Sequence, residues 1–140
     1  QLDQQRASAI QRDGLSAFVD SWYQMDLFRS MAQHSEAFAA MKTARSRNSA
    51  EWMAKVIHEM SPGVQPSLWD GLPNLITDVL LIAGAQDSKY TSTLKIAAGK
   101  MPRASLAVIP NAGHNTHFEA PDPFANTVKN FLEAATLKRK

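Results

Sequence analysis

The sequence predicts an α/β chain: a helical first part, residues 1–70, followed by a βαβα unit, residues 71–140, with two parallel strands. Three observations carry this. Apolar residues in the first part recur at spacings of three to five, the period of amphipathic helices. Asp78-Val79-Leu80-Leu81-Ile82-Ala83-Gly84 is then a continuous apolar run ending in turn residues, the pattern of a parallel strand buried on both faces. The order strand, loop, helix, strand, loop, helix follows, and joining two parallel strands this way calls for a right-handed crossover.

Taken in order, Asp3 to Trp22 carries Ile10, Leu15, Phe18, Val19 and Trp22 on one stripe, with Gly14 as a break. A short segment, Tyr23 to Gln33, contributes Met25, Leu27, Phe28 and Met31, and His34 to Ala44 puts Phe38 and Met41 on one face. Ser49 caps the next helix, whose apolar stripe is Trp52, Met53, Val56, Ile57 and Met60, and Ser61-Pro62-Gly63 stops it. Trp52 and the methionines are expected in the core, and His34 and His58 on the surface. Pro66 to Asp70 makes a turn or short helix before the linker Gly71-Leu72-Pro73-Asn74. After the first strand come a loop with Asp87, a helix over about Tyr90 to Lys100, and a second strand, Ser105 to Ile109. The loop holding His114 leads into a closing helix, Pro121 to about Ala135, with Phe124, Val128, Phe131 and Leu132 inward.

Composition narrows the function classes. The chain has 140 residues, 44% of them apolar and 20% charged, the balance of one ordinary globular domain with its own core. A net charge of +2, part of it in the terminal Lys138-Arg139-Lys140, gives no nucleic-acid footprint. The absence of cysteine excludes disulfides, a thiolate nucleophile and a cysteine-based zinc site. No apolar run approaches a membrane span and the start has no signal-peptide pattern. The opening residues lack an initiator Met and already follow a helical pattern, so they are expected to come from the middle of something longer.

Two loops hold the candidate chemistry, Gly84-Ala85-Gln86-Asp87-Ser88-Lys89 and Asn111-Ala112-Gly113-His114. Adjacent parallel strands lie about 4.8 Å apart, so residues just past their carboxyl ends can meet. Ligands and catalytic groups gather at that edge of an open α/β sheet. An Asp and a His there make an orienting pair, in which the carboxylate accepts the imidazole N–H and stabilises the imidazolium. Taken singly, Asp87 also reads as a turn former or helix cap, and His114 as an ordinary loop residue.

Further segments make a resemblance specific: Phe18-Val19-Asp20-Ser21-Trp22-Tyr23 with Leu27-Phe28, Arg45-Ser46-Arg47-Asn48, Val64-Gln65-Pro66-Ser67-Leu68-Trp69, Gly84 to Tyr90, and the His114 stretch with His117, Glu119 and Pro121. With these residues the whole chain resembles the carboxyl-terminal half of an α/β-hydrolase-fold enzyme, a helical cap followed by the last βαβα part of the core. Within that superfamily it is similar to the 2-succinyl-6-hydroxy-2,4-cyclohexadiene-1-carboxylate synthases of menaquinone and phylloquinone biosynthesis. The Pro-Ser-Leu-Trp turn is also similar to the synthase module of the plant and algal multifunctional phylloquinone protein.

The resemblance implies a carbon–oxygen lyase that eliminates pyruvate and needs no metal or organic cofactor. It matches Asp87 and His114 to the acid and base of a Ser-Asp-His triad, whose chain order they share. Arg45 matches a cap arginine that binds a carboxylate of a small polycarboxylate substrate, a bidentate task suited to a guanidinium. Arg47 is a nearby second candidate, and Trp22 and Tyr23 match cap residues over the substrate ring. Plain packing of the cap also accounts for Trp22 and Tyr23, and a solvated helix end for Arg45. His117 and Glu119 are expected to shape the loop and cap the last helix. The resemblance places a bacterial member in the cytoplasm and a plant or algal fusion in a plastid or other organelle.

One element of the family is not in these residues. No Gly-x-Ser-x-Gly elbow occurs, so the serine, the oxyanion loop and the amino-terminal half of the fold are expected elsewhere, and the chain alone is expected to be inactive. A two-stranded remnant with an unpaired apolar edge is further expected to be poorly soluble on its own. Two other readings stay open: an ester or carbon–carbon bond hydrolase with the same Asp and His, and a non-catalytic truncated module.

Overall fold

A computed structural model describes residues 2–137, so the basic tail Lys138-Arg139-Lys140 lies outside the described residues. The chain divides into two compact units, Gln1–Ser67 and Leu68–Lys140, a boundary three residues before the expected one.

The first unit holds helices α1 (Leu2–Asp13), α2 (Leu15–Trp22), α3 (Ser35–Ser46) and α4 (Ala50–Glu59), with a 3₁₀ helix at Asp26–Gln33. Gly14 is the break between α1 and α2. Its φ of +85° is a conformation that side-chain-bearing residues rarely adopt, and the chain turns there without losing the Gly14 N–H to Ile10 C=O bond. Ser49 caps α4 by accepting from the Trp52 N–H at 3.2 Å. The core is Ala7, Ile10, Leu15, Val19 and Ala54, flanked by Phe18, Tyr23, Ala50, Met53 and Ile57. Asp3 accepts from Arg6 at 2.5 Å and from the buried Ser61 hydroxyl, tying the start of α1 to the segment after α4. The Ser61 hydrogen bond, then Arg6, lower the Asp3 carboxyl below its ordinary range.

The α4 stripe is narrower than its sequence implied. Met53, Ala54 and Ile57 face the core, but Trp52 and Met60 are each 63% exposed and Val56 45%. At 100° per residue, five apolar positions cover more of the helix than one neighbour can bury. Ala50 and Ala54 lie on the side of the arc that meets the core. Trp52 and Met60 are therefore outside the core, whereas Met31 is fully buried and Met101 nearly so. His58 is exposed as expected, but His34 is half-buried at the start of α3.

The second unit opens with a 3₁₀ helix, Trp69–Asn74, that absorbs the residues expected to form a linker. Leu68 and Leu72 carbonyls accept the Gly71 and Leu75 N–H groups, three residues on each time, a tight turn that Pro73 tolerates. Strands β1 (Val79–Gly84) and β2 (Ala104–Ile109) pair in parallel, Val79 opposite Ala104 through Gly84 opposite Ile109. A two-pronged bond from Arg103 to Asp78, at 2.9 and 2.6 Å, holds the register at the strands' starting ends. Helix α5 (Ser88–Lys100) connects them and packs on both, and α7 (Pro121–Leu137) packs on β2. Only Ala83 and Gly84 of β1 are buried. Val79 to Ile82 are half-buried, because a two-stranded sheet gives the strand one neighbour where the apolar run suits two. On α7, Phe124, Val128 and Phe131 are half-buried, but Leu132 is 57% exposed. A one-turn helix that periodicity did not indicate, α6 (Thr116–Glu119), follows the His114 loop and packs on β1.

Candidate active site

The carboxyl ends of β1 and β2 are stitched into one surface by backbone bonds. Ala85 N–H donates to Ile109 C=O and Gln86 N–H to Ala112 C=O, both at 2.9 Å, so each loop is hung on the other. Gly84 makes this approach possible. A Cβ there would lie 2.1 Å from the Gly113 carbonyl oxygen and 2.3 Å from that of Ala112, far inside contact distance. Asn111 turns the chain after β2 with φ of +58°, a left-handed conformation that asparagine tolerates better than most side chains.

On this surface Asp87 and His114 meet. His114 Nδ1 lies 2.7 Å from Asp87 Oδ2, and the Asp87 side chain is only 6% exposed against 29% for the imidazole. The other carboxylate oxygen, Oδ1, accepts the Tyr90 N–H at 3.0 Å and caps α5. One oxygen thus meets the helix-cap reading, and the other makes the hydrogen bond to His114. With Nδ1 turned to the carboxylate, the neutral imidazole carries its lone pair on Nε2.

Two further residues frame the imidazole. The Tyr90 ring stands 4.7 Å from it, centre to centre, inclined at 57°. Tyr90, which the sequence offered only as the start of a helix and the end of a family-like segment, is thus a neighbour of the imidazole. Glu119 is buried and accepts the Gly113 N–H at 2.9 Å and the Asn115 N–H at 3.0 Å. It shapes the loop, as expected, but caps backwards onto the His114 segment and not onto the last helix. His117 is exposed, its ring edge-on to Phe124 at 5.9 Å.

The remaining candidates lie in the first unit, and three of them share one cavity. Trp22, Tyr23 and Arg45 line a space of about 250 Å³ with Phe18, Asn48 and Met53. Its wall is mostly apolar, with the Arg45 guanidinium 5.9 Å from the centre of the Tyr23 ring. Burial raises the Tyr23 phenol above its ordinary pKa, and Arg45 pulls the other way. Arg47 ends α3, is exposed and is not among the residues lining the cavity. Arg6, which sequence did not single out, stacks over Trp22 at 4.7 Å. Among the described residues no group of three or more His, Asp or Glu side chains could hold a metal ion, and no helix is long and apolar enough to cross a membrane.

Residues 3–127 match the family model described as the alpha/beta hydrolase family. The chain belongs to the α/β-hydrolase family. Among curated relatives, this chain is 34% identical over 131 residues to a putative 2-succinyl-6-hydroxy-2,4-cyclohexadiene-1-carboxylate synthase of Bacillus subtilis, covering 93% of the chain and 48% of the relative. It is 28% identical over 138 residues to the chloroplastic protein PHYLLO of Arabidopsis thaliana, covering 93% of the chain and 8% of that protein. Among solved structures, MenH from S. aureus superposes with a TM-score of 0.94 at 28% identity, covering 96% of the chain and 51% of that structure. A Thermogutta terrifontis esterase, with a TM-score of 0.81 at 20% identity, covers 95% of the chain and 49% of its own and shares the fold. The α/β-hydrolase chain thus spans about half the length of the synthases it matches. The similarity to the synthase family stated from its motifs is met in these relatives.

Proposed function

We propose that these residues supply the Asp and His of a triad, and the cap, of an enzyme that eliminates pyruvate to give 2-succinyl-6-hydroxy-2,4-cyclohexadiene-1-carboxylate, in menaquinone or phylloquinone biosynthesis. The observation that carries the proposal is the 2.7 Å bond between Asp87 and His114 at the carboxyl ends of adjacent parallel strands. In the intact protein these residues continue from an amino-terminal half that brings the serine, since no nucleophile elbow occurs in the sequence. The helical unit is then the cap and the strand-bearing unit the end of the core.

In that setting Nε2 of His114 takes the serine hydroxyl proton, and Asp87 stabilises the imidazolium through Nδ1. The activated oxygen removes a proton from a ring carbon of the substrate. The electron pair left behind forms the ring double bond, the carbon–oxygen bond to the enolpyruvyl group breaks, and the leaving enolate takes up a proton to become pyruvate. Arg45 pairs with a substrate carboxylate, and the Trp22 and Tyr23 ring faces exclude water from its ring. A neutral ester would have no use for an arginine in a mostly apolar cavity, which favours the lyase over an esterase on the same fold.

The test is to read the gene upstream of Gln1 and assay the intact protein. A Gly-x-Ser-x-Gly segment upstream and pyruvate release from the polycarboxylate substrate are expected. Cleavage of simple esters without pyruvate release would assign the site to a hydrolase. Absence of the serine segment would leave a non-catalytic module.

A further inference from the structure

We infer that Glu119 is a positioning residue for His114, holding the imidazole in register with Asp87 by clamping the backbone on both sides of it. The inference rests on the catalytic reading of the Asp87–His114 pair given above. Its two oxygens divide between two donors: Oε2 accepts the Gly113 N–H at 2.9 Å and Oε1 the Asn115 N–H at 3.0 Å. These are the residues immediately before and after His114. A planar carboxylate spanning i−1 and i+1 restricts the dihedrals on either side of the residue between them, and so fixes the direction of its Cα–Cβ bond.

The burial of Glu119 makes the clamp informative. It is 7% exposed, and among the described residues no ion pair reaches it. A buried carboxylate is costly unless its charge is met by hydrogen bonds, and here backbone N–H groups of the catalytic loop meet it. A loop needing only compactness is served by an apolar residue at this position. The carboxylate gives two directed, charge-assisted bonds aimed at the histidine's neighbours. Glu119 is itself anchored, its own N–H donating to Asn115 C=O at 2.9 Å within the short helix that packs on β1. The clamp thus refers His114 back to the strand whose following loop carries Asp87.

Substitution separates positioning from bulk. Glu119→Gln keeps the volume but turns one acceptor into an NH₂ facing a backbone N–H, so one of the two bonds is lost. Glu119→Asp keeps the charge but is one methylene short of reaching both donors. In the intact protein each is expected to lower kcat by about 10- to 100-fold with KM within about twofold, the effect of misplacing a catalytic group by a fraction of an ångström to an ångström. In a His114→Ala background the same substitutions are expected to cause no further loss, because the residue they position is gone. Amide exchange at Gly113 and Asn115 is expected to quicken in both variants. A kcat within twofold of the parent in folded Glu119→Gln would overturn the inference. So would an equal loss in the His114→Ala background, or failure of both variants to fold, either of which makes Glu119 a stability residue. A parent rate left intact by His114→Ala is a different result, removing the catalytic reading itself.

Discussion

Replacing Gly84 by Ala tests how the two loops are held together. Its φ lies outside the left-handed range, so an alanine backbone is unstrained there and the substitution acts through space alone. The added Cβ would sit 2.1 Å from the Gly113 oxygen, 2.3 Å from the Ala112 oxygen and 2.6 Å from the Ala112 carbonyl carbon, all backbone atoms. Reaching even the 3.0 Å that real Cβ contacts respect requires the strand end and the His114 loop to part by about 0.9 Å. That movement strains the Ala85 to Ile109 and Gln86 to Ala112 bonds. Overpacking of this kind costs about 1–3 kcal/mol and each of the two weakened bonds about 1 kcal/mol, so destabilisation of roughly 3–5 kcal/mol is expected. In the intact protein this lowers Tm by roughly 5–15 °C. The same displacement pulls His114 from Asp87, with a fall in kcat of about 10²-fold. Thermal unfolding followed by circular dichroism, beside a pyruvate-release assay, reads both. A variant with Tm within a degree of the parent and unchanged kcat would refute the account of the junction.

Asp87→Asn keeps a cap for α5 through its amide oxygen but loses the charge that supports the imidazolium. The expected result is a kcat lower by about 10³- to 10⁴-fold with the fold intact, and a loss below tenfold would count against the pair. Arg45→Ala should raise KM for the polycarboxylate substrate by about 10- to 100-fold, an effect that falls away when the substrate carboxylates are esterified. An unchanged KM would return Arg45 to the solvated helix end. The folded state depresses the Asp3 carboxyl, so its contribution to stability is present above the ordinary value of 3.8 and is lost as pH falls through the lower folded value. Acid unfolding of the first unit should therefore begin at higher pH in Ser61→Ala, which removes the larger cause of that depression; an unshifted acid midpoint would contradict it.

Local signals in the sequence were enough for much of the fold. Gly14, Ser49 and Pro62-Gly63 punctuate the helices where they do because capping and breaking depend on a few neighbouring atoms. The apolar run before Gly84 and the second run ending at Ile109 were legible as parallel strands, and with them the meeting of Asp87 and His114, since strand spacing alone brings such loop residues together. What periodicity could not decide was which part of a wide apolar arc turns inward. Trp52, Val56 and Met60 lie largely on the solvent side, while Met53, Ala54 and Ile57 meet the core of the first unit. Leu132 is turned outward on α7 by the same logic.

The sequence by itself determined the type and order of the elements and the pairing of one carboxylate with one imidazole, because these follow from short-range preferences and the geometry of adjacent strands. Only the tertiary structure decided how that pair is held. The Gly84 contact joins residues 28 and 29 positions apart. The Glu119 clamp depends on a one-turn helix, α6, that packing against β1 stabilises and local propensity does not announce. A close approach of two backbones and the burial of a carboxylate are set by distances between segments remote along the chain, and no local pattern encodes those distances.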